Sequence, residues 1–196
     1  MTSELIAGVS WATIARHADE RGSFRELWRE ASFPPIEPLA AGMATGRRPR
    51  FVQANLSVSA AGVLRGLHVH RRQLDYWIVA TGRAFVGLVD LRPFLGHSSN
   101  AALARPVVET RTLGSDSTVL IPAGVAHGFL ALEPLELVYL VTNAYDGSDE
   151  LGFAWDDPEV GVPWPLVSAT GDGRPVVSER DRANPTLAGL LGLQAR

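Results

Sequence analysis

Gly62-Val-Leu-Arg65-Gly-Leu-His68-Val-His70, continued by Asp75 and Gly82, gathers two histidines and a carboxylate into one short segment between glycines. Its apolar and small residues read as a β-strand. Residues i and i+2 of a strand share a face, so His68 and His70 are expected to project together. Ile121-Pro-Ala-Gly-Val-Ala-His127 supplies a third histidine much further along the chain. The expectation is that all three, with Asp75, line one pocket inside a β-barrel.

The segments 51–58, 74–81, 84–91, 107–113, 117–122, 128–132 and 135–142 are β-branched or aromatic runs punctuated by Gly, Pro, Asp or Ser. Spacings of about 8–12 residues, with no long helical pattern between them, predict an antiparallel sandwich or barrel. The fold class expected is all-β, of the double-stranded jelly-roll kind. Leu5 to Ile14 reads as a short strand, Gly22 as a turn, and 34–50, with Pro34, Pro35, Pro38, Gly42 and Gly46, as a loop. The stretch from Asp156 to Pro175 is Pro- and Gly-rich. A short helix is expected from Pro185 to Leu193, with Asn184 as its N-cap. The 196 residues fit a single domain: an N-terminal arm and loop (1–50), a barrel core (51–145) and a C-terminal extension (146–196).

Composition excludes several chemistries. The chain has no cysteine, which removes disulfides, thiolate nucleophiles and cysteine metal sites. It also has no lysine, which removes Schiff-base chemistry and leaves arginine forks or backbone amides to grip an anion. A net charge of -3 with interleaved signs gives no reason to expect nucleic acid or a membrane surface. No apolar run approaches the roughly 18 residues that span a bilayer, and the N-terminus does not read as a signal peptide. A cytoplasmic protein is expected.

Gly62-x5-His68-x-His70-x4-Asp75-x6-Gly82 resembles the first cupin motif, with Asp for the usual Glu, and Pro122-x-Gly124-x2-His127 resembles the core of the second. The second is incomplete, with Asp116 where a Gly is expected and Ala131 where an Asn is. Imidazoles and a carboxylate meeting in a barrel suit iron, manganese, nickel or zinc, so His68, His70, Asp75 and His127 form one candidate site for a divalent metal.

A wider set of motifs resembles the dTDP-4-dehydrorhamnose 3,5-epimerase family, a sugar-nucleotide branch of the cupins. Asp19-x-Arg21-Gly22-x-Phe24-x-Glu26, Phe51-x-Gln53-x-Asn55-x-Ser57 and Arg65-Gly-Leu-His68 match in order. Ile121-Pro-x-Gly-x-Ala-His127-Gly-Phe129, Tyr139, Tyr145, Trp155-x-Asp157-Pro158 and Pro175-x2-Ser178-x-Arg180-Asp181 follow. The resemblance implies a homodimer, needing no cofactor, that epimerises a nucleotide-linked 4-keto-6-deoxyhexose. It implies His68 as the base, Asp181 as the carboxylate that orients it, and Tyr139 as the acid on the opposite face of the sugar. It further implies that Arg65, Arg21 and Gln53 hold the nucleotide diphosphate, with Asn55 and Tyr145 also on the substrate. Phe24 and Glu26 would reach the base and its sugar from a partner subunit, and His127 would lie near the keto oxygen. The chemistry is coherent, since a proton alpha to a ketone needs a base near neutral pKa and a stabilised enolate.

Two positions depart from that family, which carries a glutamine near position 70 and a lysine at 75. Here they are His70 and Asp75. Both changes remove epimerase features and restore cupin ligands. Three readings stand: a metal replacing the lysine, a different sugar or a single inverted carbon, and a metallo-cupin or non-catalytic sugar-nucleotide-binding protein. Tyr139, Tyr145, Arg65 and Asp181 each also have a purely structural reading, as core aromatics, an ion pair and a surface acid.

Overall fold

The computed structural model describes residues 1–33, 49–95, 105–145 and 147–194. Most of the stretch read as a loop (34–48) and His97 lie outside the described residues. The strands are β1 (Ser10–Thr13), β2 (Arg16–Asp19), β3 (Gly22–Arg25), β4 (Gln53–Ser59), β5 (Leu64–Val69), β6 (Asp75–Thr81), β7 (Arg83–Asp90), β8 (Val107–Gly114), β9 (Ser117–Ile121), β10 (Val125–Ala131), β11 (Leu135–Val141) and β12 (Leu151–Gly152). Helices α1 (Leu166–Thr170), α2 (Glu179–Arg182) and α3 (Leu187–Gln194) follow.

Two five-stranded sheets, ordered β1-β9-β6-β11-β4 and β12-β5-β10-β7-β8, face one another, and β2 and β3 form a separate hairpin. All strand pairs are antiparallel. Strands adjacent in sequence, such as β6 and β7, pass from one sheet to the other. That is the jelly-roll arrangement the strand spacing predicts. Trp11, Val79, Val86, Leu88, Val119 and Leu137 fill the space between the sheets. Burying each such side chain is worth about 1.5–3 kcal/mol. A second cluster, with Leu67, Val89, Leu91, Phe153, Leu187 and Leu190, seals the C-terminal segment and α3 to the sheet containing β5.

Three local expectations need correction. The strand read as beginning at Gly128 begins at Val125. Every residue from Val125 to Ala131 is buried, so this central strand shows no alternation to mark its start. The C-terminal helix begins at Leu187, and Asn184 does not cap it. Asp157 Oδ2 accepts the Leu187 N–H at 2.7 Å and Thr186 Oγ1 accepts that of Gly189 at 3.1 Å, while the Asn184 side chain packs over Gly152. The Pro- and Gly-rich stretch contains α1, too short to carry a helical period. Asp116, standing where a cupin Gly is expected, has φ of 72° and is held there by Arg16 and Arg25. Among the described residues no helix is long and apolar enough to cross a membrane.

Candidate active site

A cavity of about 490 Å³ opens between the two sheets. β4 sends Gln53, Asn55 and Ser57 into it while Leu56 and Val58, with Val52 just before the strand, face outward, 60%, 63% and 52% exposed. β6 contributes Asp75 and Trp77, and β11 contributes Leu137, Tyr139 and Val141. From the facing sheet β5 brings Arg65 and His68, and β10 brings His127 and Phe129.

Arg65 and His68 are three apart, which in a regular strand would put them on opposite faces. An irregularity in the β5–β10 pairing resolves this. His127 lies opposite His68, yet Phe129 lies opposite Arg65, so β5 spends one extra residue there. The crossing needs glycine on both strands. A Cβ on Gly66 (φ 114°) would stand 2.7 Å from Gly128 Cα, and one on Gly128 would stand 2.7 Å from Arg65 O.

The C-terminal segment then completes the site. Leu64 N–H bonds to Val176 O and Val176 N–H to Gly62 O, which pins the chain beside the start of β5. Ser178 caps α2 by accepting the Asp181 N–H at 3.0 Å, and the buried Asp181 carboxylate reaches His68. His68 Nε2 lies 2.6 Å from Asp181 Oδ1, and Gly66 N–H donates to Oδ2 at 3.3 Å. Nε2–H donating to the carboxylate leaves Nδ1 as the basic nitrogen. Burial acts to raise the Asp181 pKa, but the hydrogen bond and charge of His68, with Gly66 and Ser178, outweigh it and hold the carboxyl below its ordinary range.

Tyr139 stands on the opposite sheet, between Asn55 and Trp77 in register. Burial and the charges of Asp75 and Glu150 raise its phenol above the usual 10.0, against the opposing charge of Arg65. It therefore holds its proton at neutral pH.

His70, just past the end of β5, points into the cavity as expected, but the four-ligand metal set does not form. His70, Asp75 and His127 bring their ligand atoms within 4.8 Å of one another; His68 is not among them, and its Nε2 is paired instead with Asp181. Burial pushes the His127 imidazole down to about 4, with Asp75 pulling the other way and His70 and His68 adding to the fall. Trp77 is buried edge-on against His127 and also donates to Asp75 Oδ2 at 3.2 Å.

At the mouth, Arg65 donates to Ser59 Oγ at 3.1 Å, and Gln53 bridges Asn55 (2.8 Å) and the Tyr145 N–H (3.0 Å). Tyr145 is 67% exposed there. Arg21, Phe24 and Glu26 do not line this cavity. They sit on or just after the β2–β3 hairpin, Arg21 paired with Asp19 and Glu26 with Arg29. Sequence reasoning missed Glu150 and took Arg180 only as part of a motif. Glu150 Oε1 is 3.9 Å from His68 Nδ1, and its Oε2 is 3.0 Å from Arg180. Glu150 immediately precedes β12, whose two-residue pairing with His68 and Val69 brings it there, and a strand that short leaves no signal.

The profile of the dTDP-4-dehydrorhamnose 3,5-epimerase family matches residues 3–189. A Methanothermobacter thermautotrophicus dTDP-4-dehydrorhamnose 3,5-epimerase is 37% identical over 169 residues, 85% of this chain and 82% of that one. Among solved structures, a Mycobacterium tuberculosis RmlC epimerase superposes with a TM-score of 0.78 at 30% identity, over 99% of this chain and 91% of that one. ChmJ, a 3'-monoepimerase from Streptomyces bikiniensis solved with dTDP-quinovose, gives 0.77 at 27%, over 100% and 91%. The chain belongs to the dTDP-4-dehydrorhamnose 3,5-epimerase family, and it is an isomerase.

Proposed function

We propose that the cavity inverts C3, or C3 and C5, of a nucleotide-linked 4-keto-6-deoxyhexose, with dTDP-4-dehydro-6-deoxyglucose as the substrate to test. The observation that carries this is the placement of the His68–Asp181 pair on one sheet and Tyr139 on the sheet facing it. His68 Nδ1 takes the proton from the carbon next to the ketone, and the C–H electron pair moves into the enolate. Asp181 balances the imidazolium so formed. Tyr139 returns a proton from the other side, and the configuration inverts. The proton transfers call on no organic cofactor.

Arg65, Gln53, Asn55 and Tyr145 at the mouth serve the nucleotide diphosphate, where an arginine fork suits the anion. His127 serves the keto end. Arg21, Phe24 and Glu26 reach a cavity only in a homodimer, where each hairpin would cross to the partner. The outward apolar face of Leu56 and Val58 on the edge strand β4, extended by Val52 just before it, supports such pairing. The chain works as one cupin-like domain in the cytoplasm.

The test is solvent exchange. In D2O the protein should place deuterium at C3 of dTDP-4-dehydro-6-deoxyglucose, read by proton NMR or mass spectrometry, and His68→Ala should abolish this while still binding dTDP. Tight nucleotide binding with no exchange by the unaltered protein would instead select a sugar-nucleotide-binding role.

A further inference from the structure

At the inner end of the cavity, His70, Asp75 and His127 present only hydrogen-bond acceptors to one another. His70 Nδ1 lies 2.9 Å from Asp149 O and His127 Nδ1 lies 3.2 Å from Val125 O, so each ring gives its Nδ1–H to a backbone carbonyl. Both Nε2 atoms are left with lone pairs. His127 Nε2 faces Asp75 Oδ2 at 3.6 Å, acceptor against acceptor. Exchanging the tautomer only moves the conflict to Val125 O.

The ligands are also held from behind. Asp75 accepts from Gln73 Nε2 at 2.8 Å and from Trp77 Nε1 at 3.2 Å. The Asp149 carboxylate takes the N–H groups of Arg71, Arg72 and Gln73, which fixes the loop that carries His70. Imidazoles anchored through Nδ1–H and a carboxylate steadied by donors are the outer-shell arrangement of a metal centre. Asp75 and His127 are buried, and two acceptors facing each other there are costly unless a cation joins them.

We propose that His70, Asp75 and His127 form a three-ligand site for one divalent transition-metal ion, its open positions facing the sugar end of the cavity. Two imidazole nitrogens and one carboxylate suit zinc, iron(II), cobalt(II) or nickel(II) in preference to calcium or magnesium. Metal–ligand bonds of about 2.0–2.2 Å require the ligand atoms to close by about an ångström from their present spread. That is within reach of small side-chain rotations. His68 stays outside the site, so its Nδ1 remains free as a base.

Binding needs only these three side chains. The ion's task rests on the epimerase reading: beside the keto oxygen it would supply the positive charge that stabilises an enolate, which Asp75 cannot give and which no lysine in this chain offers.

The experiment uses untagged protein stripped with a chelator and titrated with Co2+. Expected are visible d–d absorption bands saturating at one ion per chain, and a rise in Tm with added Zn2+ or Co2+. Asp75→Asn and His70→Gln should each weaken the affinity at least about tenfold. His70 is only half-buried, so its variant is the one expected to keep the wild-type fold by circular dichroism. No saturable Co2+ spectrum, or one unchanged in both variants, overturns the site. Deuterium exchange at C3 that is equal in stripped and reloaded protein overturns the ion's catalytic task. Absence of exchange in both, with the cobalt spectrum intact, overturns the epimerase reading and leaves the site standing.

Discussion

His68 Nε2 and Asp181 Oδ1 are 113 residues apart in the chain and 2.6 Å apart in the cavity. The contact fixes more than a distance. With Nε2–H committed to the carboxylate, the free lone pair of His68 is on Nδ1, so the fold chooses which nitrogen acts as base. The choice depends on the C-terminal segment. Val176 is pinned to the start of β5, and Ser178 then starts α2 so that Asp181 lies beneath the ring.

Replacing that acceptor with a donor should therefore damage catalysis more than binding. The side-chain amide introduced by Asp181→Asn can give a hydrogen bond to Nε2, which drives the ring proton to Nδ1, where the base is needed. We expect kcat for epimerisation to fall about 10²–10⁴-fold with little change in KM or in dTDP affinity. Steady-state kinetics beside calorimetric titration of dTDP check this. A variant with wild-type kcat would remove Asp181 from the mechanism.

The same pair sets a signature in stability against pH. The folded-state pKa of Asp181 lies below its ordinary 3.8, so the unfolded chain binds this proton first as pH falls. The stabilisation is fully present above 3.8, is lost as pH drops through the lowered value, and is absent below it. Urea unfolding at pH 6, 4 and 3 should show the gap between wild type and Asp181→Asn shrinking below pH 4. A gap that is constant or widens there would mean that the carboxylate is not held by His68.

Tyr139 separates the two halves of the reaction. Its phenol is protonated at neutral pH and lies on the sheet facing His68. In Tyr139→Phe, His68 should still exchange the C3 proton with solvent on its own face, while inversion falls by about 10²-fold or more. Deuterated substrate of unchanged configuration is the expected product by NMR. Normal yields of inverted product would assign the acid to another group.

Much of this site was legible in the sequence because its residues sit in locally ordered motifs. His68 and Asp181 belong to short runs that resemble family motifs, and Tyr139 is placed beside them by that resemblance alone. The β4 face of Gln53, Asn55 and Ser57 follows from alternation alone. What could not be read is what depends on long-range register. The spacing of His68, His70, Asp75 and His127 suits one metal site, yet Asp181 takes His68 away from it. Glu150 enters through a two-residue strand. Arg65 and His68 share a face only because of a bulge whose cause, a close crossing over Gly128, lies over 60 residues downstream. Arg21, Phe24 and Glu26 point to a site that one chain does not complete.

The bulge gives the last prediction. Gly66 and Gly171 both have positive φ, 114° and 78°, so an alanine at either incurs backbone strain of about 1–2 kcal/mol. They differ in what a Cβ meets. At Gly171 nothing lies within 4 Å, whereas at Gly66 it meets Gly128 Cα and His127 O, both at 2.7 Å, and both are backbone that cannot rotate aside. Overpacking adds about 1–3 kcal/mol. At about 2–4 °C per kcal/mol for a chain of this size, Gly66→Ala should melt several degrees below Gly171→Ala. Activity should separate them further, because pushing β5 from β10 disturbs the strand that carries Arg65 and His68, while Gly171 does not line the cavity. Equal melting temperatures with equal kcat would mean that the crossing yields easily, and the shared face of Arg65 and His68 would then need another cause.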